Sequence, residues 1–222
     1  MKRKIKKICA VFVIIVLLPY IITIFMNGKS IEANQDGKNG YIKVKTESGT
    51  KEVPLKEYCI GTLAKEISVD FEEEALKAQA VIVRTTIYKK IEEQGEKAVM
   101  TERFFTKSDM KNQWGRSAFQ KNYKKLERVW NETDGQVVMY NGQLAMVPFH
   151  QLSNGKTRIG KEVLGTDEYP YLQMKECPKD VEADGQMESK LIKAAGAQIT
   201  SQDSAGYVTG VKVGEETLNG ET

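Results

Sequence analysis

Histidine occurs once in this chain of 222 residues and cysteine three times, which limits the metal sites and crosslinks that the chain can form. A structural zinc site has four ligands, so His150 cannot build one with other histidines, and only a site completed by Cys177 and water molecules stays open. Three cysteines do not make a disulfide framework, because Cys9 lies in a long apolar run and Cys59 on an apolar helical stripe. A single Cys59–Cys177 bridge is left as an alternative.

Positive charge is concentrated in the first seven residues, which contain five basic side chains and no acidic one. The whole chain has 33 basic and 30 acidic residues, so the part from residue 8 onward has 28 basic groups against 30 acidic ones. Because this larger part has no basic patch, the sequence indicates no nucleic-acid partner. The hydrophobic fraction of 41% is ordinary and predicts a packed globular body.

An uncharged run of nineteen residues, 8–26, follows the basic residues. It is long enough to span a membrane and longer than the usual core of a cleaved signal. No Ala-x-Ala-like site follows it, so we expect an uncleaved, single-pass signal anchor over residues 1–28, with a cleaved signal as the alternative. The flanking basic residues place the N-terminus in the cytoplasm and the body outside it, at the cell membrane. Residues 29–40 are polar and are predicted to be a linker.

Glu66 lies at a predicted bend between two helices. Apolar residues at spacings of three and four along residues 55–67 form one helical stripe, and Pro54 suits the first turn of that helix. With 30 acidic residues in the chain, a solvated glutamate at a helix end is the simplest interpretation. A role as general acid and base would need partial burial that raises its pKa, and a motif that singles this carboxyl out.

The second helix is predicted from about residue 71 to residue 93. Asp70 and Glu73 have the spacing of a capping box at its start. Its apolar face is wider than a simple stripe, which indicates burial on much of its circumference. Gln79 and Arg84 lie in the apolar middle and need partners if they are buried, so we expect both to support the Glu66 bend or to contact substrate.

The remaining patterns mix strands with one more helix, so the predicted fold class is α+β. Asn141 and Gly142 separate two strand patterns, 136–140 and 143–149, which is typical of a hairpin with a type I′ turn. Another helix is predicted at about 117–133, and further strands at 41–46, 98–105 and 206–213. The hairpin leads to His150 and to three small polar residues: Ser153, Asn154 and Gly155. These do not indicate a serine triad, because no Gly-x-Ser-x-Gly elbow surrounds the serine.

Residues 58–85 resemble the opening signature of the SpoIID/LytB family. The resemblance is carried by the run EALKAQA at residues 74–80 with a glutamate upstream, a combination that no common helix repeat contains. The other matching positions are Tyr58, Gly61, Ala64, Glu66, Arg84 and Thr85. Where the family usually has Met-Pro after the glutamate, this chain has Ile67 and Ser68.

A second match lies after the hairpin, where the family usually has Phe-His-Ser, a small residue and Ser-Gly-Gly. Phe149, His150, Ser153 and Gly155 agree with that pattern, and Gln151, Leu152 and Asn154 depart from it. The family continues past the end of this chain through further strands, including a Gly-His-Gly segment that is not found here. We therefore expect residues 41–222 to form an incomplete family domain whose C-terminal part is missing.

The resemblance implies a lytic transglycosylase, which cuts peptidoglycan glycan strands after amidases have removed the stem peptides. Glu66 would be its catalytic acid and then its base, and the product would carry a 1,6-anhydro end. A role in engulfment during sporulation is also implied, beside a wall amidase and other membrane partners, and no organic cofactor. The alternatives are a non-catalytic module that binds glycan or stimulates an amidase, and an inactive homologue.

By the same resemblance, several residues are candidates for binding substrate or supporting Glu66: Gln79, Arg84, His150, Ser153, Asn154 and Gly155. His150 is left with several interpretations, since it can line the sugar cleft, bond to Glu66, bind zinc or be tied to the backbone at the hairpin end. Trp114, Tyr123 and Trp130 can stack on sugar rings, but their helical spacing favours core packing.

Overall fold

The computed structural model describes residues 40–47, 49–183 and 196–220, which form a mixed α+β structure divided into two units. The first unit ends at Val147 and the second begins at Pro148, so the predicted domain over residues 41–222 spans both. The predicted anchor at residues 8–26 lies outside the described residues. Within the described ranges, no helix combines the length and the apolar content that crossing a membrane requires.

The first unit contains a three-stranded sheet in the order β2-β1-β3. Strands β1 (Tyr41–Thr46) and β2 (Gly49–Pro54) pair antiparallel, while β3 (Val99–Met100) pairs parallel with β1. Ile42 and Val44 of β1 are buried and alternate with exposed residues, as expected of a strand with one face on a core. The predicted strand at 98–105 is reduced to two residues.

Three long helices supply most of the first unit's core: α1 (Leu55–Glu66), α2 (Glu73–Gln94) and α3 (Lys107–Glu132). The first two agree with the sequence prediction to within about two residues. The third begins ten residues earlier than predicted, because Thr106 and Asp109 form a capping box ahead of it. Its two segments meet at Gly115, whose positive φ of 77° kinks the helix.

The predicted capping box at the start of α2 is wrong. The N-cap residue is Glu72, and it makes no side-chain cap hydrogen bond. The Asp70 carboxylate instead accepts a hydrogen bond from the Ser68 hydroxyl at 3.3 Å, within the connection that precedes the helix. The connection holds this aspartate ahead of the first helical turn, where its side chain does not serve as the cap.

A glycine lets the chain pass very close to the middle of α1. A Cβ placed on Gly61 would lie 2.3 Å from the Phe105 carbonyl oxygen and 2.7 Å from Cδ2 of Phe104. The Phe105 N–H donates to the Gly61 carbonyl at 3.1 Å. Both phenylalanines pack against the core, which explains why this segment does not continue β3.

The predicted hairpin is confirmed, with shorter strands. Strands β4 (Met139–Tyr140) and β5 (Gln143–Leu144) pair antiparallel around Asn141 and Gly142, which have φ values of 49° and 78°. Positive φ at both central positions is the geometry of a type I′ turn. The Val138 N–H donates to the Thr85 hydroxyl at 2.9 Å, which ties the hairpin to α2.

The second unit contains a short helix, α4 (Gly160–Leu164), and an antiparallel sheet in the order β6-β7-β8. Its strands are β6 (Ala197–Gln202), β7 (Val208–Val213) and β8 (Glu216–Asn219). The predicted strand at 206–213 corresponds to β7. A partly buried ion pair between Arg158 and Asp203 joins the irregular segment before α4 to the turn between β6 and β7.

Candidate functional site

Glu66 is the last residue of α1, and its side chain is half buried. The helix ends there because Ile67 is extended, with φ −137° and ψ 141°. The buried Gln79 of α2 donates a hydrogen bond from Nε2 to Oε2 of Glu66 at 2.7 Å. Burial raises the pKa of Glu66, and the Gln79 bond and the charge of Lys65 partly oppose that rise. The expected contact between Gln79 and the bend is therefore present.

The connection between α1 and α2, residues 67–72, is here called the elbow loop. Val69 in its centre is buried in the core. Lys125 of α3 donates from Nζ to the carbonyls of Val69 at 2.7 Å and Phe71 at 3.0 Å. These contacts tie the loop to α3. The sequence offered no signal for Lys125, since the lysine is more than fifty residues from the loop along the chain.

Glu66 lines a small open concavity in the first unit. Tyr58, Thr62 and Glu66 lie one turn apart along one face of α1 and form one of its sides. The other lining residues are Val83, Thr86, Ile87, Lys90, Met100 and Glu102. Lys90 and Glu102 form an ion pair at its rim. Burial raises the pKa of Tyr58 to about 12, so this phenol stays protonated near neutral pH.

Arg84 does not brace Glu66 as the sequence analysis expected. Its guanidinium is buried and donates to three backbone carbonyls, those of Trp130 at 2.8 Å, Thr133 at 2.7 Å and Gln136 at 3.2 Å. It also lies 4.0 Å from the centre of the Trp130 ring. The reason is geometric: carbonyls at the end of α3 and in the turn after it lie against Arg84, and its guanidinium offers several donors to them. Arg84 therefore fastens α3 to α2.

The other predicted residues belong to the second unit. His150 is exposed. Ser153 donates from its N–H and its hydroxyl to Oδ2 of Asp180, at 2.9 and 2.6 Å, and these bonds lower the pKa of Asp180. Asn154 donates its N–H to the Tyr207 hydroxyl at 3.1 Å, and Gly155 has a φ of 100°. The segment 153–155 is thus held by Asp180 and Tyr207, which the sequence analysis did not single out.

No group of three or more His, Cys, Asp or Glu side chains in the described part of the chain is arranged to hold a metal ion. Cys59 and Cys177, the candidates for a bridge, are both free thiols. Cys59 is buried, and burial raises its pKa. Trp130 is buried, and Trp114 and Tyr123 pack partly buried against the same core, as their spacing predicted.

The chemistry available in the first unit is therefore that of one carboxyl with a raised pKa at the edge of a concavity. Such a group can donate a proton to a leaving oxygen and then accept one from a hydroxyl. Its environment also contains a fixed amide donor, Gln79, and the neutral phenol of Tyr58.

The bend lies within the part of the chain that matches a known protein family. A family model for SpoIID, described as a stage II sporulation protein, matches residues 43–140. The chain is 30% identical over 190 residues to stage II sporulation protein D of Bacillus subtilis (strain 168), covering 77% of this chain and 55% of that protein. The protein of the same name from Bacillus amyloliquefaciens is 29% identical over 189 residues, covering 76% and 54%. The chain thus spans about half the length of the curated relatives it matches, and its residues 43–140 match the SpoIID family model.

Proposed function

We propose that this chain cuts the glycan strands of peptidoglycan as a lytic transglycosylase, with Glu66 as its single acid and base. The observation that carries the proposal is the Glu66 carboxyl, which is half buried, fixed by Gln79 and set beside a concavity. A carboxyl with a raised pKa keeps a proton available nearer to neutral pH. The substrate class is the one that the sequence resemblance to the SpoIID/LytB family implies.

In the proposed reaction the bond between C1 of N-acetylmuramic acid and the oxygen of the next sugar breaks, and that oxygen takes the proton of Glu66. The C6 hydroxyl oxygen of the same muramic sugar forms a new bond to C1, and its proton passes to the Glu66 carboxylate. The acid is regenerated, no water is consumed and one product end is 1,6-anhydro. One carboxyl is enough for this sequence, whereas hydrolases usually place two across the bond.

Gln79 sets which carboxyl oxygen takes part. Because its Nε2–H already donates to Oε2, the transferable proton belongs on Oε1. The apolar side chains of Val83, Ile87 and Met100 line the concavity beside the carboxyl. Their low polarity disfavours the charged carboxylate and so keeps the acid form available.

The test is product analysis on strands from which the stem peptides have been removed. We expect the full chain to release fragments with 1,6-anhydro ends, each lighter by one water than the hydrolysis product in a mass spectrum. Glu66→Gln should lower the rate by about 100-fold or more, the usual contribution of a general acid. Glu74→Gln is the matched control, because that side chain is 84% exposed. Equal rates for the wild type and Glu66→Gln would refute the proposal.

Two other outcomes point to other functions. If Glu66 and Glu102 are both essential and the products are hydrolysed, the site is that of a two-carboxylate hydrolase. If the chain sediments with stripped strands and releases no product, it is the non-catalytic glycan-binding module that the sequence analysis kept as the alternative.

We also propose the cellular setting. The relatives carry the name of a sporulation stage, which supports a role for this chain in sporulation. A wall amidase as partner is proposed from the family resemblance alone. Residues 8–26 would hold it in the cell membrane, with the described units outside the cytoplasm. Alkaline extraction of membranes from sporulating cells tests the anchor: the full chain should stay in the pellet, and its release into the wash would contradict an anchor.

A further inference from the structure

Phe71 is an exposed aromatic residue on a fixed backbone. Its side chain is 55% exposed although the elbow loop that carries it is held firmly. The Phe71 N–H donates to the Ser68 carbonyl at 3.2 Å, and its own carbonyl accepts from Nζ of Lys125 at 3.0 Å. Val69, two residues earlier, is buried in the core. A single exposed apolar residue is ordinary. Here, however, the backbone that carries the exposed ring is held by the bond from Lys125 and by the buried Val69.

The position of Phe71 connects it with the candidate acid. It follows Glu66 by five residues, so the two Cα atoms lie within about 18 Å of each other even if the chain were fully extended. The loop is not extended, because the helix that follows it returns Gln79 to the Glu66 carboxyl. Separations of this size are spanned by a strand of a few sugars.

The side chain also has the chemistry that a sugar ring needs. The C–H face of a pyranose packs on an aromatic face, and a rigid ring loses little conformational entropy when it is covered. The Ser68 hydroxyl and the Asp70 carboxylate are exposed in the same loop and can bond to sugar hydroxyls. The aromatic residues of α3 cannot serve in the same way, since Trp130 is buried and Trp114 and Tyr123 pack against the core.

We propose that Phe71 is the stacking platform of a sugar subsite beside Glu66, which takes one pyranose ring of the glycan strand. This subsite rests on the proposed function, because it assumes that the strand lies across Glu66. Its effect is on binding and register, and Phe71 takes no part in the proton transfers.

The test uses the full chain in detergent and two probes: a soluble β-1,4-linked N-acetylglucosamine oligomer, and glycan strands stripped of peptides. Calorimetric binding of the oligomer should weaken about tenfold in Phe71→Ala, the loss of one well-made aromatic contact. Phe71→Leu should weaken as much, because it keeps apolar area without a flat face, and Phe71→Trp should bind at least as tightly as the wild type. Tyr41→Ala is the matched control, since Tyr41 is 57% exposed in the same unit and lies on β1.

The outcomes separate this subsite from the enzyme activity. If the oligomer binds and Phe71→Ala weakens it while Tyr41→Ala does not, the subsite stands whether or not strands are cut. If strands are cut, Phe71→Ala should raise KM and leave kcat unchanged. Equal binding by the wild type, Phe71→Ala and Phe71→Trp overturns the subsite and leaves the proposed function intact. No binding of either probe by the wild type overturns both.

Discussion

Two opposing effects act on the Glu66 carboxyl. Burial raises its pKa because the charged form loses hydration, and the Gln79 N–H bond lowers it because that bond is stronger to a carboxylate. The charge of Lys65 acts in the same direction as Gln79. Burial is the largest of the three, so the net shift is upward. The surroundings therefore favour the acid form, while a single amide fixes the orientation of the group.

The shift makes the stability of the fold depend on pH. The folded-state pKa of Glu66 is above the unfolded value of 4.5, so its contribution is fully present below pH 4.5 and is lost as the pH rises through the folded pKa. Glu66→Gln removes the buried charge and should raise Tm relative to the wild type near neutral pH, with little difference in acid. Scanning calorimetry across this range checks it, with Glu74→Gln as the exposed control. A lower Tm for Glu66→Gln near neutral pH would contradict the raised pKa of Glu66 in the folded state.

Replacing Gln79 by leucine should move the pKa of Glu66 further up. The variant removes the N–H donor from the carboxylate and leaves burial nearly unchanged. A hydrogen bond to a charged group contributes about 1.5–3 kcal/mol, so the free energy of unfolding should fall by about that amount above the pKa. Carboxyl carbon NMR, with Glu66→Gln to identify the resonance, measures the titration. A midpoint that stays in place or moves down would mean that the amide does not stabilise the charged form.

Arg84 acts on the packing of one helix against another. Its buried guanidinium donates to three carbonyls at the end of α3 and in the turn that follows. Arg84→Met leaves those carbonyls without these donors, and the free energy of unfolding should fall by about 3 kcal/mol or more. Urea unfolding measures it, with Arg128→Met as control. Arg128 is 55% exposed and forms surface ion pairs with Glu73 and Glu132. Arg128→Met should therefore lower the free energy of unfolding by less than about 1 kcal/mol. Equal losses would contradict the fastening role of Arg84.

Gly61 controls how closely α1 approaches the segment after β3. Gly61→Ala places a methyl against the Phe105 carbonyl, and because the obstacle is backbone it cannot move aside easily. We expect a loss of about 1–3 kcal/mol in the free energy of unfolding, the usual range for overpacking. Lys65→Ala on the exposed side of the same helix is the control for chemical denaturation. A Gly61→Ala variant as stable as the wild type would show that the segment of Phe104 and Phe105 can move away from α1 without loss of stability.

Helices α1 and α2 could be predicted because their apolar spacing is long and regular. The hairpin could be predicted because Asn-Gly is a preferred pair for the positive φ values of a type I′ turn, and Asn141 and Gly142 do adopt positive φ. The contact of Gln79 with Glu66 followed from the need of a buried amide for a partner. Two sets of contacts could not be predicted from the sequence: those of Arg84 with the end of α3, and those of Lys125 with the elbow loop. Each joins residues about fifty positions apart, and the acceptors are backbone carbonyls, which every residue has. The sequence pattern places Phe71 at the start of a helix, and its exposure on the elbow loop is visible only in the structure.

The candidate functional residues lie in two units that differ in the interactions that hold them together. The first contains nearly all of the buried apolar residues among those described, together with Glu66, Gln79, Arg84, Lys125 and Phe71. The second contains His150 and the turn held by Asp180, and polar bonds such as the Arg158–Asp203 pair hold much of it together. Hydrophobic burial is the main source of folding free energy, so the first unit has the means to fold by itself.

This difference predicts how a fragment behaves. Residues 40–147 alone should unfold in one cooperative transition and keep the helical circular dichroism of α1, α2 and α3, because their core is complete within that range. Every residue that lines the concavity is also within it, so the pH-dependent gain in Tm of Glu66→Gln should persist in the fragment. The matched control is the full chain with the same substitution. A fragment that melts without a cooperative transition would mean that the second unit contributes to the core, and loss of the pH effect in a folded fragment would mean that the second unit helps to bury Glu66.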